Sequence, residues 1–227
     1  MIYVFYAQND FIENQFKDIS FIPLSKIKFI DFDINLLLNY EYYVFTSKNA
    51  ITSLVQQIEK SENKEYYKNV IFSKNIICVG VTTEKIARKY GFKNIQIPTK
   101  AYGKNLFEEF ENIFKNTKAI FLRGEIIASN PKYVDEIIVY KNIKIQKKES
   151  SFKIKNKDII IFTSPMLFQF YKENNIPLNK SKIIAIGKTT KKAIKKYSKK
   201  VYTPKETTLN ACIKLALKLQ ARQCKNL

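Results

Sequence analysis

At 227 residues and 45% hydrophobic, the chain is long enough for one large core or two modest ones. Its 40 basic and 20 acidic side chains give a formal charge of +20, yet only Arg88, Arg123 and Arg222 are arginines, so compositional drift toward lysine accounts for the excess better than a dedicated polyanion patch. Histidine is absent, which excludes His-based triads, imidazole general bases and most zinc or iron sites.

Short runs of Ile, Val, Tyr and Phe alternate with segments of helical period, the pattern of βαβ units around a parallel sheet. In chain order the sequence predicts a strand at 2–6, an extended crossing at 28–34, a strand at 42–46, a helix at 49–59 and a strand at 75–79. A helix at 83–90, closed by Gly91 as a left-handed cap, a strand at 94–97, a helix at 105–114 and a strand at 119–122 follow. A second extended crossing covers 136–146; then come a strand at 158–163, a helix at 165–173, a strand at 183–186, a helix at 190–197, a strand at 200–202 and a helix at 209–219. The two crossings divide the chain into a discontinuous first lobe, 1–30 plus 148–227, and an inserted second lobe, 38–135, with 31–37 and 136–147 as connecting strands able to pair as a hinge. The first residues lack the basic and small-residue features of a signal peptide, and no apolar run approaches the ~20 residues needed to span a bilayer, so a soluble cytoplasmic protein is expected. Cys78, Cys212 and Cys224 form no C-x-x-C pair and read as buried thiols of a reducing compartment.

The chain repeats itself in order. Phe45-Thr46-Ser47 is echoed by Phe162-Thr163-Ser164, and Gly80-Val81-Thr82-Thr83 by Gly187-Lys188-Thr189-Thr190; Lys85, Lys89 and Tyr90 then fall after Gly80 as Lys192, Lys196 and Tyr197 fall after Gly187. A serine that ends a strand and starts a helix caps that helix, and it also stands where outward-pointing amides receive an anion; each position alone reads first as a cap. The glycines are expected to allow tight turns. Four such helix starts, all following strand C-termini, suit carboxylates or phosphates, each contact with a helix terminus contributing ~0.3–1 kcal/mol. Neither phosphate-loop pattern of nucleotide-binding proteins is present, which disfavours nucleotides.

Phe45-Thr46-Ser47-Lys48-Asn49-Ala50, Val79-Gly80 with Thr83, Phe121-Leu122-Arg123-Gly124-Glu125, Val139-Tyr140, Phe162-Thr163-Ser164-Pro165 and Ala185-Ile186-Gly187-Lys188-Thr189-Thr190, taken in order, resemble the uroporphyrinogen-III synthase family. The resemblance implies an α/β fold of two HemD-like (flavodoxin-like) lobes, each a parallel sheet flanked by helices, joined by a two-stranded β-ladder. It also implies a cofactor-free and metal-free lyase of tetrapyrrole (haem) biosynthesis, acting on hydroxymethylbilane; a monomer with no nucleic-acid or membrane partner is expected. The enzyme removes the substrate hydroxyl as water, passes through an azafulvene and a spiro intermediate, and closes the ring with the last pyrrole inverted. Tyr140 then matches the tyrosine that assists loss of the hydroxyl, and Ser47, Thr83, Ser164, Thr189 and Thr190 match partners of the substrate carboxylates, whereas Lys188 stands where the family commonly has a proline and is expected to place an ammonium at the cleft. Arg123 matches the arginine of the Arg-Gly motif, as a substrate contact or as a clamp on the loop that follows. The family pattern is broken where Phe5-Tyr6-Ala7 replaces Thr-Arg-Pro, and where 125–136 is short for a helix. A non-catalytic two-lobed binder of an anionic metabolite is the competing reading; a nucleic-acid binder, suggested by charge alone, lacks arginine clusters and a recognition motif.

Overall fold

The computed structural model describes residues 1–8, 18–127, 130–147, 154–178 and 181–224, with 223 and 224 described by backbone only. In chain order these form β1 (Ile2–Ala7), β2 (Ile19–Phe29), a 3-10 helix (Ile34–Asn39), β3 (Tyr42–Phe45), α1 (Lys48–Lys60), α2 (Lys64–Phe72), β4 (Asn75–Cys78), α3 (Val81–Tyr90) and β5 (Ile95–Gln96). They continue with α4 (Gly103–Glu109), α5 (Glu111–Asn116), β6 (Ala119–Gly124), β7 (Asp135–Lys144), β8 (Ile159–Phe162), α6 (Pro165–Glu173), β9 (Lys182–Ala185), α7 (Lys188–Lys195), β10 (Val201–Tyr202) and α8 (Leu209–Cys224). Two compact units divide the chain: unit 1 comprises Met1–Lys26 and Ile143–Leu227, unit 2 comprises Ile27–Asn142.

In unit 2 the strands lie in the order β7-β6-β3-β4-β5, and each neighbouring pair is parallel. Because side chains alternate across a strand, an all-apolar run supplies a core on both faces. Tyr43, Phe45, Ile76, Cys78, Ile120 and Leu122 pack with Ile51, Leu54 and Ile58 of α1, Ile71 of α2 and Ala87 of α3. Val44, Ile77, Ala119 and Phe121 pack with Leu106, Phe107, Phe110 and Phe114 on the opposite side. Unit 1 repeats the plan with the order β10-β9-β8-β1-β2, again parallel. Phe5, Ile160, Phe162 and Ala185 meet Leu167, Phe168 and Tyr171 of α6 and Ile194 of α7, whereas Val4, Ile159, Ile161 and Ile184 meet Cys212, Ile213 and Ala216 of α8.

The sequence repeat is a structural repeat. Phe45 pairs with Cys78 as Phe162 pairs with Ala185, and the next amide closes the same bond in each copy: Val79 N–H to Phe45 O at 2.9 Å, Ile186 N–H to Phe162 O at 3.0 Å. Gly91 adopts φ 105° and its N–H donates to the carbonyls of Ala87 and Arg88, the left-handed cap expected there. Gly91→Ala forces a Cβ into that conformation and within 3.3 Å of the Phe72 ring. Denaturant unfolding of this variant should show a loss of about 1–2 kcal/mol at unchanged m-value.

Four features differ from expectation. The extended run is Ile19–Phe29, not 28–34, and residues 34–39, which overlap the expected connecting strand 31–37, wind into the 3-10 helix, capped by Asp33 Oδ1 accepting from Asn35 N–H at 2.9 Å. Pro23 obscures this strand in the sequence; it is tolerated opposite Tyr6, where the ladder becomes irregular. The helix α2 is short and shows no long apolar period to announce it, with only Tyr67 and Ile71 buried, one turn apart. The helix expected over 105–114 breaks at Phe110 into α4 and α5, and there Phe110 joins Phe107 and Phe114 against the sheet. The short 125–134 connection holds no helix among its described residues.

Cys78 and Cys212 are buried free thiols, as expected, with burial pushing them up to about 12 and about 11. The side chain of Cys224 lies outside the described residues. Among the described residues no helix is long and apolar enough to cross a membrane.

Candidate functional site

In unit 2 the chain leaves β3 toward β4 and β5, then returns on the other side of β3 as β6 and β7, so a topological switch point lies between β3 and β6. In an open parallel sheet the connections diverge at such a point and leave a crevice beyond the strand C-termini. Here that crevice is a pocket of about 570 Å³. Thr46 and Ser47 after β3, Val79 after β4, and Gly124, Ile126 and Ile127 at the end of β6 line it, with Tyr140 of β7 and Tyr102, Gly103 and Lys104 at the start of α4. Apolar walls with a few polar groups between them are the usual composition of a small-molecule site.

Ser47 reaches this pocket and also caps α1, its Oγ accepting from Asn49 N–H at 3.2 Å. Tyr140 is half-buried, and its hydroxyl has no partner among the described residues. Its backbone, by contrast, is pinned. The Val139 carbonyl accepts from Ser53 Oγ at 2.7 Å and from Ile30 N–H at 3.0 Å, and the Tyr140 carbonyl accepts from Glu125 N–H at 3.0 Å. Ser53 is a polar residue on the buried face of α1, and this bond is why it stands there.

Arg123 does not line the pocket. One terminal nitrogen donates to Gly124 O at 2.9 Å and to Glu125 O at 3.2 Å, and Nε pairs with Glu136. With a side chain only 18% exposed, it ties the end of β6 to the start of β7.

The remaining residues singled out by the sequence fall into three groups. Thr83 of α3 is 6% exposed and Thr190 of α7 is 3% exposed, both on the inner face of their helices. Ser164 caps α6 in unit 1, its Oγ accepting from Leu167 N–H at 3.2 Å. Lys188 and Thr189 are exposed on the first turn of α7, also in unit 1. The two glycines do not make tight turns: Gly80 has φ 173° and Gly187 φ −160°, extended values open to any residue. They are small because of neighbours, since a Cβ would lie 2.8 Å from Ala101 Cβ at Gly80 and 3.2 Å from Thr207 Cγ2 at Gly187. Those neighbours occupy matching places, each three residues after Pro98 or Pro204.

Sequence reasoning missed Tyr102, Lys104, Ile126 and Ile127. Tyr102 and Ile126 are 71% and 72% exposed, and large apolar side chains so exposed at a pocket mouth are the signal that only the fold reveals. A second concavity, about 360 Å³, runs along α8 beside Lys205, Lys214 and Lys218, and none of the sequence-predicted residues line it. Among the described residues no cluster of Cys, Asp and Glu is arranged to hold a metal ion.

A family model described as uroporphyrinogen-III synthase HemD matches residues 11–214. A Methanocaldococcus jannaschii protein, provisionally named a uroporphyrinogen-III synthase, is 26% identical over 223 residues, covering 91% of this chain and 90% of its own. The crystal structure of uroporphyrinogen-III synthetase from Helicobacter pylori 26695 superposes with a TM-score of 0.74 at 21% identity, covering 96% of this chain and 98% of that one. A mutant uroporphyrinogen III synthase from Thermus thermophilus gives 0.55 at 10% identity, over 90% and 91% of the two chains. At these identities the two structures speak for the fold: a mixed α/β architecture with a large, mostly parallel sheet flanked by helices.

Proposed function

Because this chain belongs to the uroporphyrinogen-III synthase HemD family, we infer that it is a cyclising lyase of tetrapyrrole biosynthesis. It removes water from hydroxymethylbilane and closes the macrocycle with the terminal pyrrole inverted, giving uroporphyrinogen III. The family match, which spans most of the chain, carries this reading. A binder of an anionic metabolite without catalysis is not favoured.

Within that function, Tyr140 donates the proton that lets the hydroxyl leave as water. What supports this is a phenol with no protein partner among the described residues, at the wall of a pocket beyond the strand C-termini. The substrate's pyrrole nitrogens stabilise the cation that results, so the protein's work is to fold the linear chain and keep the spontaneous closure from winning. Ser47, Lys188, Thr189 and Ser164 sit at helix starts suited to the substrate's carboxylates, and Thr83 and Thr190 support the first turns of α3 and α7 from their buried side. For Arg123 we favour the clamp over the substrate contact.

The family's two-lobe plan corresponds here to units 1 and 2, joined by β2 and β7. Pairing of these two strands is supported by Ile145 N–H donating to Leu24 O at 2.9 Å and by Ile30 N–H donating to Val139 O. The enzyme is proposed to act as a cytoplasmic monomer, with the tetrapyrrole as its partner.

The test is isomer analysis. Hydroxymethylbilane incubated with the protein, then oxidised to porphyrin and separated by chromatography, should yield predominantly isomer III. If the isomer I of spontaneous closure is the sole product at every protein concentration, the function is wrong.

A further inference from the structure

We propose that Gly124 is a positioning residue for Tyr140: the place where its Cβ would stand is the seat of the phenol ring. This rests on the reading of Tyr140 as the proton donor. A Cβ on Gly124 would lie 2.7 Å from Cζ, 2.9 Å from Cε2 and 2.9 Å from the hydroxyl oxygen of Tyr140, all inside the closest approach of real carbon contacts. Backbone conformation is not the reason for a glycine here, because Gly91 is the described glycine with a positive φ. The need is spatial.

Register explains how the ring arrives there. Along the β6–β7 pair Arg123 stands opposite Ile138, but Gly124 stands opposite Tyr140, so β7 carries an extra residue, Val139, at the bulge. That bulge is held from three sides. Ser53 and Ile30 bond the Val139 carbonyl, Glu125 N–H bonds the Tyr140 carbonyl, and Arg123 holds the carbonyls of Gly124 and Glu125. With the Tyr140 backbone fixed, the ring is the part free to yield to a new methyl group. It would do so by rotating about its side-chain bonds, and such a rotation carries the hydroxyl furthest because it lies at the end of the lever.

Gly124→Ala is therefore expected to fold, since the atoms it displaces are the far end of a side chain, and yet to move the hydroxyl off its position. Turnover should fall by roughly the factor seen for Tyr140→Phe, about 10²-fold, with KM changed less than kcat. In the Tyr140→Phe background the same alanine should cost little more, because the hydroxyl it displaces is already gone. The Tyr140 ring resonance, identified by its loss in Tyr140→Phe, should shift in Gly124→Ala while resonances of α6 and α8 stay in place.

Equal and multiplicative losses in both backgrounds, or an unshifted ring resonance in a folded Gly124→Ala protein, overturn the positioning role. Full turnover in Tyr140→Phe, together with a shifted ring in Gly124→Ala, instead removes the proton-donor reading and leaves the seat intact. If Gly124→Ala fails to fold, Gly124→Ala with Tyr140→Ala restores the space. Recovery of folding in that double variant keeps the ring as the neighbour that matters, and continued failure to fold overturns it.

Discussion

Tyr140→Phe should lower kcat for hydroxymethylbilane cyclisation by about 10²-fold and leave the unfolding midpoint unchanged. The stability expectation follows from the structure: the hydroxyl has no partner among the described residues to lose, and the ring keeps its place beside Gly124. The activity expectation follows from the chemistry. Loss of hydroxide from a hydroxymethyl carbon creates a localised negative charge on the departing oxygen, and a donor within hydrogen-bond reach neutralises it as the bond breaks. Residual turnover is expected because the pyrrole nitrogens push the hydroxyl out from the other side. The product of the variant should still be mainly isomer III, since folding of the substrate and inversion of the last ring do not depend on that proton. A variant with normal kcat would transfer the acid role to water or to the substrate's own carboxyl groups.

Arg123→Ala should be the most destabilising single change near the pocket. It removes an ion pair with Glu136 and two bonds to the carbonyls of Gly124 and Glu125, in a place where the arginine is largely shielded from water. A loss of about 2–3 kcal/mol is expected, which for a chain of this size lowers Tm by about 4–12 °C. Arg123→Lys should fall between the two, because one ammonium group serves a carboxylate or a carbonyl but not the fork of three acceptors. Activity at a permissive temperature should drop in both variants through the loosened β6–β7 bulge. A rise in KM at unchanged Tm would instead make Arg123 a substrate contact and sink the clamp.

Much of this protein is legible without coordinates, and the reason is its architecture. A parallel strand buried on both faces must be apolar at nearly every position, so runs such as Ile159–Phe162 and Ala119–Gly124 stand out against polar helices. Serines at strand-to-helix junctions and the left-handed Gly91 are local devices, set by residues a few positions away, and they lie where the sequence predicts. The repeat is legible for the same reason, since each copy carries its own caps and its own strands. The 3-10 helix capped by Asp33 and the amphipathic α2 escaped, because neither carries a long apolar signal.

What the tertiary structure decided is everything that depends on residues far apart in the chain. Glycine at 80 and 187 looks like turn chemistry in the sequence, but there, as at Gly124, a distant side chain occupies the space where a Cβ would be. Arg123 reads equally as binder or clamp in the sequence, and only the fold brings Glu136 and two carbonyls to its guanidinium. That Thr83 and Thr190 lie on the inner faces of their helices is set by packing partners the sequence does not name. Tyr140 is one of 14 tyrosines in the sequence, and only the bulge between β6 and β7 places its ring over Gly124 and at the pocket wall. Hydrophobic period and capping are short-range and so are written in consecutive residues. Which side chain fills a given space is set by strand order and register, and these exist only once the chain has folded.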